Sequence, residues 1–158
     1  MGFRMYVPTK IVFGEGKLNT LSRQRLPGKK ALLVISSGKS VKENGALART
    51  QEQLKEAGID WVLFDQIMAN PLKSAVMAGA ACARENGCDL VVALGGGSVM
   101  DAAKAIAAMA VNDGDLWDYV VGGTGKEQRL TKKPLPIVAI TTTAGTGSEV
   151  TPYAILTN

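Results

Sequence analysis

The chain has 158 residues, enough for one domain with a real core, and its 46% hydrophobic and 20% charged content excludes wholesale disorder. The net charge of +4 is mild, and the basic residues (Lys29-Lys30, Lys39, Lys42, Lys132-Lys133) are scattered without interleaved aromatics, which argues against a nucleic-acid partner. Histidine is absent, so neither a histidine-based catalytic triad nor a histidine-bearing metal site can be completed from these residues alone.

In chain order, residues 1–6 lack the apolar core of a signal peptide, and Tyr6 stands where a myristoylation signal needs Ser or Thr. Residues 5–13 read as two extended pieces around Pro8, closed by a Gly14-Glu15-Gly16 turn. Residues 31–35 are predicted as a first buried strand, and a helix is predicted over 41–57, stopped by Gly58. A second strand at 61–64 precedes a helix over 71–86, with Pro71 in its first turn and Gly87 after its last. Cys82 and Cys88, six apart, match neither a metal spacing nor a disulfide scaffold. Two such thiols fit a reduced cytoplasmic compartment.

A third strand at 90–94 runs into Gly95-Gly96-Gly97-Ser98 and an alanine-rich helix from Ser98 to about Ala108. Residues 122–134 read as a polar loop, and 135–140 as a fourth strand. The run Thr141-Thr142-Thr143-Ala144-Gly145-Thr146-Gly147-Ser148 follows, and 149–156 looks extended. No apolar run approaches the roughly 20 residues of a membrane span, so no membrane partner is expected. Strands that are apolar without alternation, separated by helices, predict an α/β fold: a mostly parallel, doubly wound sheet with helices on both faces. Ligands of such sheets bind beyond the carboxyl ends of the strands.

The triple glycine is the strongest local signal. Glycines at a strand-to-helix corner let backbone N–H groups approach a ligand, and the helix behind them adds unpaired donors and the positive end of its dipole; a phosphate or pyrophosphate suits that corner. Met100 stands where the Rossmann fingerprint needs a third glycine, and Gly125-Lys126 fails as a Walker loop. Asp101, expected in the first turn of that helix, either complements the dipole or orients a ligand. Beyond the first strand, Ser36-Ser37-Gly38-Lys39-Ser40 carries no acid for a ribose. Its hydroxyls and lysine suit a 2′-phosphate, which leans the cofactor towards NADP over NAD.

Taken together, the run from Gly95 to Lys104 (Gly-Gly-Gly-Ser-Val-Met-Asp-Ala-Ala-Lys) and the run from Thr142 to Thr151 closely resemble the iron-containing alcohol dehydrogenase family, as do residues 8–14 and Asn70-Pro71. The resemblance spans nearly the whole chain. It implies a Rossmann-like amino-terminal domain of the dehydroquinate-synthase type that binds NAD or NADP. A second, helical domain of that family holds a divalent metal, usually Fe2+, on one Asp and three His, none of which can be matched here. It places Gly96, Gly97 and Ser98 at the pyrophosphate, and Asn70, Thr142, Thr143 and Thr146 on the dinucleotide with Asp101 close by. The family's first-strand acid is replaced by Ser36.

The expectation is a cofactor-binding domain over residues 1–158, belonging to a metal-dependent alcohol dehydrogenase that moves hydride between NAD(P) and a small alcohol or aldehyde. In the full enzyme the metal acts as Lewis acid on the substrate oxygen. The helical metal-binding domain is expected to lie outside this chain, which alone is expected to be inactive. A maleylacetate reductase or glycerol dehydrogenase relative is one alternative, and a non-catalytic nucleotide-binding or assembly module another. Surface that would face the second domain is expected to favour a homo-oligomer.

Overall fold

Val-, Ile- and Leu-rich runs form four parallel strands: β1 (Lys30–Ser36), β2 (Asp60–Ile67), β3 (Leu90–Gly95) and β4 (Ile137–Thr141), ordered β2-β1-β3-β4. The computed structural model describes residues 2–3 and 6–158. The expectations for residues 1–6, and for the start of the extended piece at Met5, therefore lie partly outside the described residues.

Both faces of the sheet are covered, which is why the central strands read as unbroken apolar runs. Leu32 and Val34 of β1, with Val91 and Ala93 of β3, point into a core shared with α3 (Lys73–Glu85) and α4 (Gly97–Met109). The alternate residues, Ala31, Leu33 and Ile35 with Leu90, Val92 and Leu94, pack on the other face. That face is covered by α2 (Ala46–Glu56), the short α1 (Ser40–Glu43) and a 3-10 helix, Lys17–Arg23. All ten of these strand side chains are fully buried. At about 1.5–3 kcal/mol for each large aliphatic group, they are a main source of stability.

The structure departs from the sequence expectations in several places. The helix expected over 41–57 is broken, because Gly45 adopts a left-handed φ of 75° and Asn44 Oδ1 accepts the Ala46 N–H at 2.9 Å. The helix expected from Pro71 starts at Lys73. Pro71 and Leu72 instead pair with Thr157, whose N–H donates to Pro71 O at 2.9 Å while its carbonyl accepts from Lys73 N at 2.7 Å. Residues 6–13 form no strand, and 149–156 hold only the end of a 3-10 turn, Ser148–Val150, before irregular chain. A short helix that the pattern missed, α5 (Leu116–Tyr119), is fixed by a capping box between Asp115 and Asp118. The polar loop at 122–134 is irregular, as expected. Its far end is anchored on buried Asn112, whose Oδ1 accepts from Thr131 N at 3.0 Å and Lys132 N at 2.8 Å.

Among the described residues, no helix is long and apolar enough to cross a membrane. The strand order sets the position of any ligand. From β1 the chain passes to β2 on one side and then to β3 on the other, so direction reverses between β1 and β3. The crevice outside the carboxyl ends of those two strands is the topological switch point.

Candidate functional site

The glycine corner sits at that switch point. β3 ends at Gly95, Gly96 caps α4, and Gly97 and Ser98 are its first residues. The carbonyl of Gly96 accepts from Val99 N (3.0 Å) and Met100 N (3.1 Å), which starts the helix. The N–H groups of Gly96, Gly97 and Ser98 find no acceptor among the described residues. No side chain caps α4 and its first turn carries no acid, so Ser98 Oγ is not spent on capping and the positive helix end is uncompensated. A 13-residue helix of this kind is a ready anion site.

Space, not backbone conformation, demands glycine here. Gly96 has an ordinary extended backbone (φ −88°, ψ −170°), yet a β-carbon on it would lie 3.2 Å from Thr143 Oγ1. On Gly97 a β-carbon would stand 2.7 Å from both Oγ1 and Cγ2 of Thr146, and on Gly95 it would meet Val99 Cγ2 at 2.6 Å. The threonine loop after β4 is thus drawn tightly over the corner. Its entry is pinned by Thr142 N donating to Gly95 O at 2.9 Å. Thr142, Thr143 and Thr146 remain exposed.

Asp101 lies a turn further along α4 and faces this loop rather than the amide corner. Its Oδ1 accepts from Ser148 Oγ at 2.5 Å and its Oδ2 from Ile155 N at 3.1 Å. Lys104, the last residue of the Gly95–Lys104 run, to which the sequence assigns no role, lies beside it. Its ammonium is 3.2 Å from Asp101 Oδ1 and donates to Ser148 Oγ (2.6 Å), Ser148 O (3.0 Å), Thr151 O (3.3 Å) and Tyr153 O. Both side chains are largely buried, at 15% exposed for Asp101 and 16% for Lys104.

At the end of β1, Ser36 and the exposed Ser37, Gly38, Lys39 and Ser40 line the other side of the switch point. Lys42 is drawn away by Asp65, 2.7 Å distant; its hydrogen bond holds the Asp65 carboxyl below its ordinary 3.8. Lys39 has no ion-pair partner among the described residues. Asn70 stands apart. It follows β2, two strand positions from β3 and so about 10 Å across the sheet, in a left-handed conformation (φ 55°). No hydrogen bond joins it to the glycine corner among the described residues. A groove of about 1470 Å³ runs beside the site, lined by Thr141, Thr142 and Ser148 but not by Gly95, Gly96 or Gly97; it opens along β4 towards residues 8–27.

No group of three or more His, Cys, Asp or Glu among the described residues is placed to hold a metal ion. Cys88 is buried, and burial pushes its thiol up from the usual range, the opposite of what a thiolate ligand needs.

Comparison with known proteins agrees with this layout. The family described as iron-containing alcohol dehydrogenase matches residues 8–158. The chain is 42% identical to the 1,3-propanediol dehydrogenase of Klebsiella pneumoniae, covering all of this chain and 41% of that protein. It is 37% identical to NADH-dependent butanol dehydrogenase A of Clostridium acetobutylicum, covering all of this chain and 39% of the other. Among solved structures, an archaeal halo-thermophilic alcohol dehydrogenase from a Red Sea brine pool, bound to NZQ, superposes with a TM-score of 0.89 at 41% identity. That match covers 99% of this chain and 40% of the other. The chain thus spans about two fifths of the length of the relatives it matches.

Proposed function

We propose, from the premise that this chain belongs to the iron-containing alcohol dehydrogenase family, that residues 1–158 form its dinucleotide-binding domain. The observation that carries the reading is the set of three unpartnered amides at Gly96, Gly97 and Ser98, ahead of an uncapped helix with no acid in its first turn. Those amides would hold the diphosphate. Thr142, Thr143 and Thr146 would bond the remainder of the dinucleotide from above, and Asn70 would meet one end of it from beyond β2. Asp101 would act at one remove, through Ser148.

When bound, the nicotinamide would supply a hydride acceptor at C4 for oxidation of a small alcohol to an aldehyde, with the hydroxyl proton released to solvent, or a hydride donor for the reverse. The part of these residues is to bind and orient the coenzyme. The metal of the family's name finds no fitting ligand set among the described residues, and the chain has no histidine. With the metal and alcohol sites expected on other residues, this chain alone would bind cofactor without turnover.

The preferred coenzyme under this reading is NADP(H). No acid stands from Ser36 to Ser40, where hydroxyls and the unpaired Lys39 suit a 2′-phosphate. NAD(H) is the second reading, favoured by the NADH dependence in the name of the Clostridium relative. Calorimetric titration of the purified chain with NADPH and with NADH tests both. Saturable binding with NADPH tighter supports the first reading, NADH tighter the second, and no binding by a folded chain overturns the function. Dehydrogenase turnover by the chain with ferrous iron and 1,3-propanediol or butanol would contradict its proposed inactivity.

A cytoplasmic location fits the two free thiols. A second copy of the chain is the proposed partner of the open sheet edge: among the described residues β4 pairs with β3 alone, leaving Ile137 37% exposed in the groove that Ile11 and Phe13 also line.

A further inference from the structure

We propose that Lys104 is a positioning residue for the coenzyme site, acting through the Asp101–Lys104 pair as a clamp that sets the threonine loop over the glycine corner. The inference rests on the dinucleotide reading above. The loop is closed at both ends on the same β3–α4 unit. At its entry, Thr142 N bonds Gly95 O. At its exit, Lys104 Nζ gathers Ser148 Oγ, Ser148 O, Thr151 O and Tyr153 O, while Asp101 takes Ser148 Oγ and Ile155 N. Between these two fixings lie Thr143 and Thr146, the residues packed over Gly96 and Gly97.

The link from clamp to site is short. Ser148 N donates to Thr146 Oγ1 at 3.3 Å, and Ser148 itself is buried at the centre of the clamp. An ammonium has three protons and no acceptor, so four oxygen acceptors and a carboxylate around one lysine oversupply it. Such a group holds several backbone carbonyls in one arrangement, which a neutral side chain of equal length does not. The segment 148–155 has little else to order it. It holds one 3-10 turn, Ser148–Val150, and irregular backbone, with Tyr153 and Ile155 exposed. The loop's geometry is therefore set by α4 rather than by its own hydrogen bonds, and the same helix presents the amides. One element fixes both halves of the site.

Preorganisation of this kind is read as affinity for a ligand that spans both halves. In Lys104→Met the NADPH affinity should fall by about tenfold or more, whereas that of inorganic pyrophosphate, which needs only the amide corner, should stay within about twofold. Removing the lysine alone strands the largely buried Asp101 carboxylate, so the double variant Asp101→Asn, Lys104→Met keeps the test valid if the single variant does not fold. Circular dichroism establishes folding, and calorimetry on wild type and variants gives the ratio of the two affinities. A selective loss for NADPH supports the clamp. Equal affinities in wild type and a folded variant overturn it while leaving the dinucleotide reading standing, and so does a parallel loss for both ligands. A wild-type chain that binds no NADPH overturns the dinucleotide reading and the clamp with it.

Discussion

Thr146 lies so close over Gly97 that a β-carbon added to the glycine would stand 2.7 Å from both its Oγ1 and its Cγ2. Gly97 has no left-handed backbone to lose, so alanine there is tolerated by the helix, and its nearest obstacle is Thr146. Gly97→Ala is therefore expected to weaken NADPH binding by about tenfold or more with little change in melting temperature. Gly95→Ala should behave oppositely. Its β-carbon meets buried Val99 at 2.6 Å, and overpacking of that sort costs about 1–3 kcal/mol. Calorimetry and thermal melts on the two variants separate site from scaffold.

Among the described residues Lys39, beside the β1 end, has no ion-pair partner, whereas Asp65 holds Lys42. Lys39→Ala should cost NADPH affinity by about three- to tenfold and leave NADH unchanged, the signature of one charge-assisted contact to a 2′-phosphate. An equal effect on both coenzymes would place the 2′-position elsewhere.

Buried Asn112 satisfies the chain on both sides of it. Its Oδ1 accepts from Thr131 N and Lys132 N, and its Nδ2 donates to Ala108 O (2.9 Å) and Lys132 O (3.0 Å). Asn112→Ala leaves those groups unpaired, and a loss of about 2–4 kcal/mol is expected in urea unfolding. A change below about 0.5 kcal/mol would show that water replaces the side chain readily.

Acid should loosen the chain through the carboxylates around α5. The Trp117 N–H and then Lys73 hold the Asp115 carboxyl below its ordinary 3.8, and Lys126 does the same for Asp118. Lowered folded-state values mean that the unfolded chain takes up protons first. Their stabilisation is therefore present above about pH 4 and lost as pH falls through the depressed values. Thermal melts between about pH 5 and pH 3 should show a shallower loss in Asp115→Asn than in wild type. Parallel slopes would mean that the Asp115 contacts do not persist in solution.

The unpaired edge of β4 should support self-association. Sedimentation of the wild type is expected to show a dimer that Ile137→Lys shifts towards monomer. A monomeric wild type at all concentrations contradicts it.

Much of the fold was legible because β1 and β3 are buried on both faces, so composition alone marks them. All four strands lie within two residues of expectation at most ends; β2 extends three residues further, to Ile67, where a register shift lets it run on beside Ser36. The Asn44-Gly45 break was readable as a turn dipeptide, but the apolar spacing of Leu47 and Leu54 runs across it and masked it. The Asp115–Asp118 capping box had a sequence signal too, one that a single-turn helix is too short to reinforce. At the site, the glycine corner and the threonine loop were visible as motifs, and their meeting depends on the β3–β4 pairing that brings Gly95 beside Thr141. Lys104 closes the Gly95–Lys104 run and stands three residues after Asp101, an ordinary helical spacing that assigns it no role. Its other partners are 44 or more residues away and mostly backbone carbonyls, which carry no side-chain signature.

The most direct test is a heteronuclear NMR titration following the Gly96, Gly97 and Ser98 amides as NADPH is added, with adenosine and nicotinamide as ligands lacking the diphosphate. The expected result is a large, saturating shift of those three amide signals with NADPH and little with either fragment. If NADPH leaves the three signals unmoved while the chain is folded, or if adenosine alone moves them as far, the diphosphate does not sit on this corner.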